Sequence, residues 1–155
     1  MISGDSYPFC KVVAQALCDR FDRILLIEVN AFHQFIYSAL GHNKASDEHS
    51  IQLHRISIEG AVATAAAANS ARFGVIIVDE LHTEKMIDNY RTSFAKHGIR
   101  EVQMVSLLST EHDNNPRATI SNPATLRYSS SEEYLRVADL VQDLVGKNMT
   151  AISLD

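Results

Sequence analysis

The chain has no tryptophan, two cysteines, three prolines and six glycines in 155 residues. Two cysteines cannot build a disulfide scaffold. Cys10 and Cys18 lie on one predicted helix, roughly 12 Å apart at about 1.5 Å per residue, too far to bridge each other. Among their apolar neighbours both read as small buried thiols, a usage that suits a reducing compartment. No apolar run approaches the roughly 20 residues that span a bilayer. The start, Met1 to Asp5, has no basic n-region and no apolar h-region. These absences predict a cytoplasmic protein with no membrane partner. Basic residues number 14 against 19 acidic ones, for a net charge of −5. No basic stripe stands out, so nucleic acid is not the expected partner. The few glycines form no Gly-x-Gly-x-x-Gly, no Gly-x-x-x-x-Gly-Lys-Ser/Thr and no Gly-x-Ser-x-Gly. A dinucleotide fingerprint, a phosphate loop and a nucleophile elbow are therefore all absent from the sequence, and no motif assigns a cofactor. Aromatic residues make up 7% of the chain, which leaves no obvious aromatic hot spot.

What is present is an alternation of helix and strand patterns. Tyr7 to Phe21 carries Phe9, Val13, Ala16, Leu17 and Phe21 at helical steps, with Pro8 in the first turn. Arg23 to Asn30 contains the continuous apolar run of a buried strand. Ala31 to Leu40 reads as a helix stopped by Gly41. His42 to Ser50 reads as a loop, Ile51 to Ile58 as an alternating edge strand, and the Ala-rich stretch Glu59 to Ala71 as a helix. Phe73 to Glu80 is the clearest strand, with four β-branched residues before two carboxylates. Thr83 to His97 predicts a helix, Glu101 to Ser109 a strand, and Thr125 to Tyr128 a short strand. Ser130 and Glu133 have capping-box spacing before a helix that ends at Gly146. The tail beyond Lys147 either frays or adds an edge strand. The expected fold is one domain, residues 1–155. It is a three-layer α/β/α sandwich with a mostly parallel, Rossmann-like sheet of four to five strands and no dinucleotide fingerprint.

In such folds ligands bind beyond the carboxyl ends of the strands, which singles out a set of residues. Glu28 and Asn30 follow the first predicted strand. Asp79, Glu80, His82 and Thr83 follow the third, and Ser109, Thr110, Glu111 and His112 the fourth. Asp79, His82 and His112 are the candidate acid–base groups. Glu28, Asn30, Glu80, Thr83, Ser109 and Thr110 are candidate ligand contacts. Each also has a plain structural role open to it: Asp79 as a helix cap, and the histidines as solvated loop residues. The loop holding His42, Asp47, Glu48 and His49 matches no metal motif, so no metal site is expected.

The segment Val75-Ile76-Ile77-Val78-Asp79-Glu80-Leu81-His82-Thr83 resembles the strand and acidic pair of the type I phosphoribosyltransferases. The resemblance implies that the acidic pair binds ribose hydroxyls and that the following loop cradles a phosphate. Here Glu84-Lys85-Met86 stands where that family has small residues and glycine. Asp79-Glu80-Leu81-His82 also resembles the acidic box of helicases, but the chain has no phosphate loop and is too short for two motor domains. Three readings follow. The first is a regulatory or binding module that takes a small molecule or protein partner at its carboxyl edge. The second is a small metabolic enzyme acting on a phosphorylated or sugar-like substrate. The third is a homo-oligomer subunit contributing half of a shared site.

Overall fold

The computed structural model describes residues 1–35, 47–81, 83–110, 124–147 and 151–153. Seven strands and five α-helices follow the chain: β1 Ile2–Gly4, α1 Tyr7–Cys18, β2 Ile24–Glu28, α2 Val29–Phe32, α3 Asp47–Ser70, β3 Gly74–Val78, α4 Glu84–Lys96, β4 Glu101–Gln103, β5 Val105–Ser109, β6 Thr125–Tyr128, α5 Tyr134–Gly146 and β7 Ala151–Ser153. The main sheet has the order β2-β3-β1-β5-β6, and every pairing in it is parallel. β4 and β7 form a separate antiparallel pair.

The expected sandwich is present, with helices on both faces of a mostly parallel sheet. On one face α1 presents Phe9, Cys10, Val13, Ala14 and Leu17, and α5 presents Val137, Ala138 and Val141; these pack with Ile2, Val78, Val105 and Leu107. On the other face α3 offers Ile58, Ala61, Val62 and Ala65, and α4 offers Ile87, Tyr90 and Phe94, against Ile27 and Ile77. Ile77 and Val78 thus point to opposite layers, as the two-residue period of a strand requires. The small side chains of α3 let it approach the sheet closely.

Four sequence expectations need correction. Ile51 to Ile58 is not a strand but part of α3, which runs unbroken from Asp47 to Ser70. Its buried face reads Ser57, Ile58, Ala61, Val62 and Ala65, a three-and-four spacing, while Ile51 and Ile56 are exposed. The apparent alternation mixed residues from two sides of a helix. The first long strand stops at Glu28, and Val29 to Phe32 is already helical; the expected helix beyond Phe35 lies outside the described residues. Glu101 to Ser109 breaks at Met104 into β4 and β5, which belong to different sheets. The central strand, β1, was missed: three residues are too few for a periodic signal. Thr125–Tyr128 and a strand in the tail are found as expected.

At the amino ends of the main strands lies a cavity of about 630 Å³, walled by residues such as Leu17, Phe21, Ala65, Val75, Phe94 and Val141. Sealed and empty, a space of about 630 Å³ would cost on the order of 15 kcal/mol at ~24 cal/mol per Å³. That equals the whole stability of an ordinary domain, so the space has to open to the surface. Phe21 and Val145, 49% and 41% exposed, stand at its mouth.

Candidate functional site

Five parallel strands put Gly4, Glu28, Val78, Ser109 and Tyr128 at one edge of the sheet. The chain starts in the centre at β1, moves outward to β2, returns through β3 and then crosses to β5. The reversal of strand order therefore falls beside β1, where a crevice for ligand forms in folds of this kind. The residue that follows β1 at this point is Asp5.

The connection from β1 to α1 is only Asp5 and Ser6, because Tyr7 already opens the helix. Gly4 allows the sheet to close here: a Cβ at this position would lie 2.2 Å from the carbonyl oxygen of Leu107. The Asp5 carboxylate accepts the Ser109 backbone N–H at 2.9 Å and the Tyr128 hydroxyl at 3.1 Å. One side chain thereby ties β1 to β5 and β6. Phe9 stacks on the same Tyr128 ring, with centroids 3.8 Å apart and planes 15° from parallel. Burial, reinforced by the Asp5 charge, raises the Tyr128 hydroxyl above its ordinary pKa.

A second carboxylate, Glu28 at the end of β2, is held by α1. The Tyr7 hydroxyl donates to it at 3.0 Å, and the Lys11 ammonium lies 3.0 Å away. The Tyr7 hydroxyl is pushed up by burial first, then by its bond to Glu28 and by the charges of Glu28, Asp79 and Glu80. Tyr7 thus faces a negative field from three carboxylates. The buried Cys10 thiol behind it is pushed up to about 12, by burial first and then by Asp5 and Glu80.

Asp79 follows β3 and has no solvent exposure at its side chain. It accepts the Tyr90 hydroxyl at 2.8 Å and the Glu80 backbone N–H at 2.8 Å. His54 Nε2, from α3, approaches to 3.4 Å. Burial, with Asp79 adding to it, holds the Tyr90 hydroxyl well above its ordinary pKa. Asp79 does not cap α4; Thr83 does, accepting the Met86 N–H at 3.3 Å. Helix α4 opens directly on Glu84-Lys85-Met86, so the phosphate-cradling loop implied by the phosphoribosyltransferase resemblance is replaced by a helical turn.

The structure therefore brings Glu28, Asp79, Glu80 and Ser109 to one edge. Asn30 sits half-buried in α2, while Thr83 and Thr110 are exposed. Ser109 is buried and takes part through its backbone rather than as a nucleophile. His82 and His112 lie outside the described residues. The sequence reading missed Asp5, Tyr7, Lys11, His54, Tyr90 and Tyr128. The Asp5 signal was legible only with β1 in hand. His54 was hidden by assigning its helix as a strand. Among the described residues no cluster of three histidine, cysteine or acidic side chains could hold a metal ion.

No family model and no curated protein sequence matches the chain. Solved structures do. A tunicamycin resistance protein from Deinococcus radiodurans superposes with a TM-score of 0.64 at 13% identity, over 94% of this chain and 93% of that one. A sugar kinase from Janibacter sp. HTCC2649 gives 0.57 at 12% identity, over 94% of each chain. An APS kinase from Mycobacterium tuberculosis gives 0.52 at 13%, again over 94% of each. The fold is kinase-like. At this level of identity the likeness concerns the chain path alone. In phosphate-loop proteins of this architecture, a glycine-rich loop and a lysine after a strand cradle phosphates on backbone N–H groups. Here β1 leads instead into Gly4-Asp5-Ser6-Tyr7-Pro8-Phe9, with Asp5 at the helix entrance. Among the described residues no helix is long and apolar enough to cross a membrane.

Proposed function

We propose that the chain is a binding module of kinase-like fold. Its carboxyl edge takes a small polar molecule without a phosphate chain, and it transfers no phosphoryl group. The observation that carries this reading is Asp5. Its carboxylate already occupies the Ser109 N–H and the Tyr128 hydroxyl, donors for which a phosphate oxygen would have to compete. The two-residue connection leaves no run of free N–H groups to replace them. Glu28, Asp79 and Glu80 add negative charge to the same edge, and a triphosphate would meet repulsion there rather than a cradle. Hydroxyl and amine groups are the complementary ligand chemistry, since carboxylates accept hydrogen bonds from both.

A thermal-shift comparison tests this reading. ATP with Mg²⁺ at millimolar concentration is expected to leave the melting temperature unchanged. A panel of polyols, aminosugars and polyamines is expected to contain a stabiliser whose effect Glu28→Gln removes. A robust shift with ATP and Mg²⁺, or phosphoryl transfer to any member of the panel, would overturn it.

The kinase names of two structural neighbours and the 3.4 Å approach of His54 to Asp79 favour a second reading. In it the chain is a small metabolic enzyme acting on a phosphorylated or sugar-like substrate, with this pair moving a proton. It requires that His54→Gln abolish turnover while leaving ligand binding in place.

A further inference from the structure

The cavity at the amino edge is remote from the site just described. Gly74 lines it, whereas Val78 at the other end of β3 leads to Asp79; four residue steps at about 3.3 Å separate the two by roughly 13 Å. Its volume of about 630 Å³ lies within the range of small-molecule pockets, about 300–1,000 Å³. Its walls come from both helix layers. Leu17 and Phe21 line it from α1 and the turn after it, Val141 and Val145 from α5, Ala65 from α3 and Phe94 from α4, with strand residues Ile24, Val75 and Val102 between them. The mouth keeps Phe21 and Val145 in contact with solvent. An apolar concavity of this size filled by water keeps unfavourable hydrated surface that an apolar ligand would remove.

The electrostatics narrow the class. Among the described lining residues, Glu101 is the one charged side chain. The last turns of α1, α3, α4 and α5 all reach this edge, and helix C-termini carry negative partial charge. A carboxylate, sulfonate or phosphate head group would be repelled on both counts. We infer that the amino-edge cavity is a second binding site, for an elongated apolar molecule that carries no negative charge. The polar groups at its rim, Asn69, Gln103 and Gln142, suit a hydroxyl or amine at one end of such a ligand. The site needs nothing from the carboxyl edge, so it stands whatever binds there.

Two dyes with the same aromatic body make the test. N-phenyl-1-naphthylamine is uncharged, and 1-anilinonaphthalene-8-sulfonate adds a sulfonate. Titrated by fluorescence into the whole chain, the neutral dye is expected to bind saturably at one site, at least tenfold more tightly than the sulfonate. Ala65→Phe and Val145→Phe place rings in the wall and at the mouth, and each is expected to weaken the neutral dye tenfold or more. Dodecanol is expected to displace it. If Ala65→Phe loses its cooperative thermal transition, Val145→Phe at the half-exposed rim decides the matter. Non-saturable binding, equal affinity for the two dyes, or unchanged affinity in a folded Val145→Phe variant would overturn the inference.

Discussion

Asp79 is an ionisable group fully withdrawn from solvent, and its neighbours are arranged to match. Tyr90 and the Glu80 N–H donate to its two oxygens, and His54 stands beside them. Removing the Tyr90 hydroxyl leaves a buried acceptor short of a partner, which costs about 1–3 kcal/mol. Tyr90→Phe is therefore expected to lower the urea midpoint without changing the slope of the transition. Gly4 makes a second residue-scale prediction. The Cβ of alanine would collide with the Leu107 carbonyl and with Cys10 Sγ at 2.8 Å. That overpacking is expected to cost about 1–3 kcal/mol or more, read in the same denaturation experiment. Gly4 was present in the sequence, but nothing local marked it, because the clash comes from a strand a hundred positions away.

Helices α3 and α4 are joined on the surface by one side chain. Glu59 of α3 accepts Ser93 Oγ at 2.7 Å and pairs with Lys96 and with His97 Nε2 at 3.0 Å. Lys96 above all, then Ser93 and His97, hold the Glu59 carboxyl down at about 2 against an ordinary 4.5. A carboxyl with a depressed folded-state pKa contributes stability above its ordinary pKa and loses that contribution as pH falls through the folded value. The Glu59 contribution is therefore complete above about pH 5 and fades toward pH 2. Glu59→Gln is expected to flatten the acid limb of the stability curve in that window. The difference should shrink in high salt, because the cluster is largely solvent-exposed and screened. A wild-type acid limb indistinguishable from that of Glu59→Gln would rule this link out. Element α3 also shows how a sequence pattern can mislead. Ile51, Leu53, Ile56 and Ile58 suggest alternation, yet only the helix puts Ser57 and Ile58 beside Ala61 and Val62 in the core.

At the scale of the molecule, the two edges of one sheet differ in character. The carboxyl edge is lined with carboxylates and tyrosines, and the amino edge opens an apolar cavity. Binding at either edge stabilises the fold by linkage. A ligand present at 100 times its Kd adds about 2.7 kcal/mol, or roughly 5–10 °C in Tm for a domain of this size. Saturating neutral dye at the amino edge is expected to raise Tm by that amount in the wild type and by much less in Val145→Phe. The kinase-like chain path is compatible with all of this, because fold and chemistry are separable. The architecture persists here with a two-residue turn in place of a phosphate loop.

The sequence by itself determined the layered α/β class, the strand Val75–Val78 and the arrival of Glu28, Asp79, Glu80 and Ser109 at one edge. Those features rest on local periodicity and on the handedness of crossovers, both of which are written along the chain. Only the tertiary structure decided that β1 is the central strand, that Met104 divides one apolar run between two sheets, and that Asp5 joins β5 and β6. Each of these depends on partners distant in sequence: Ile2 against Val78 and Val105, Glu101 against Ser153, Asp5 against Ser109 and Tyr128. A strand of three residues or a single carboxylate has no periodicity to read, and its role is set by the groups that close around it.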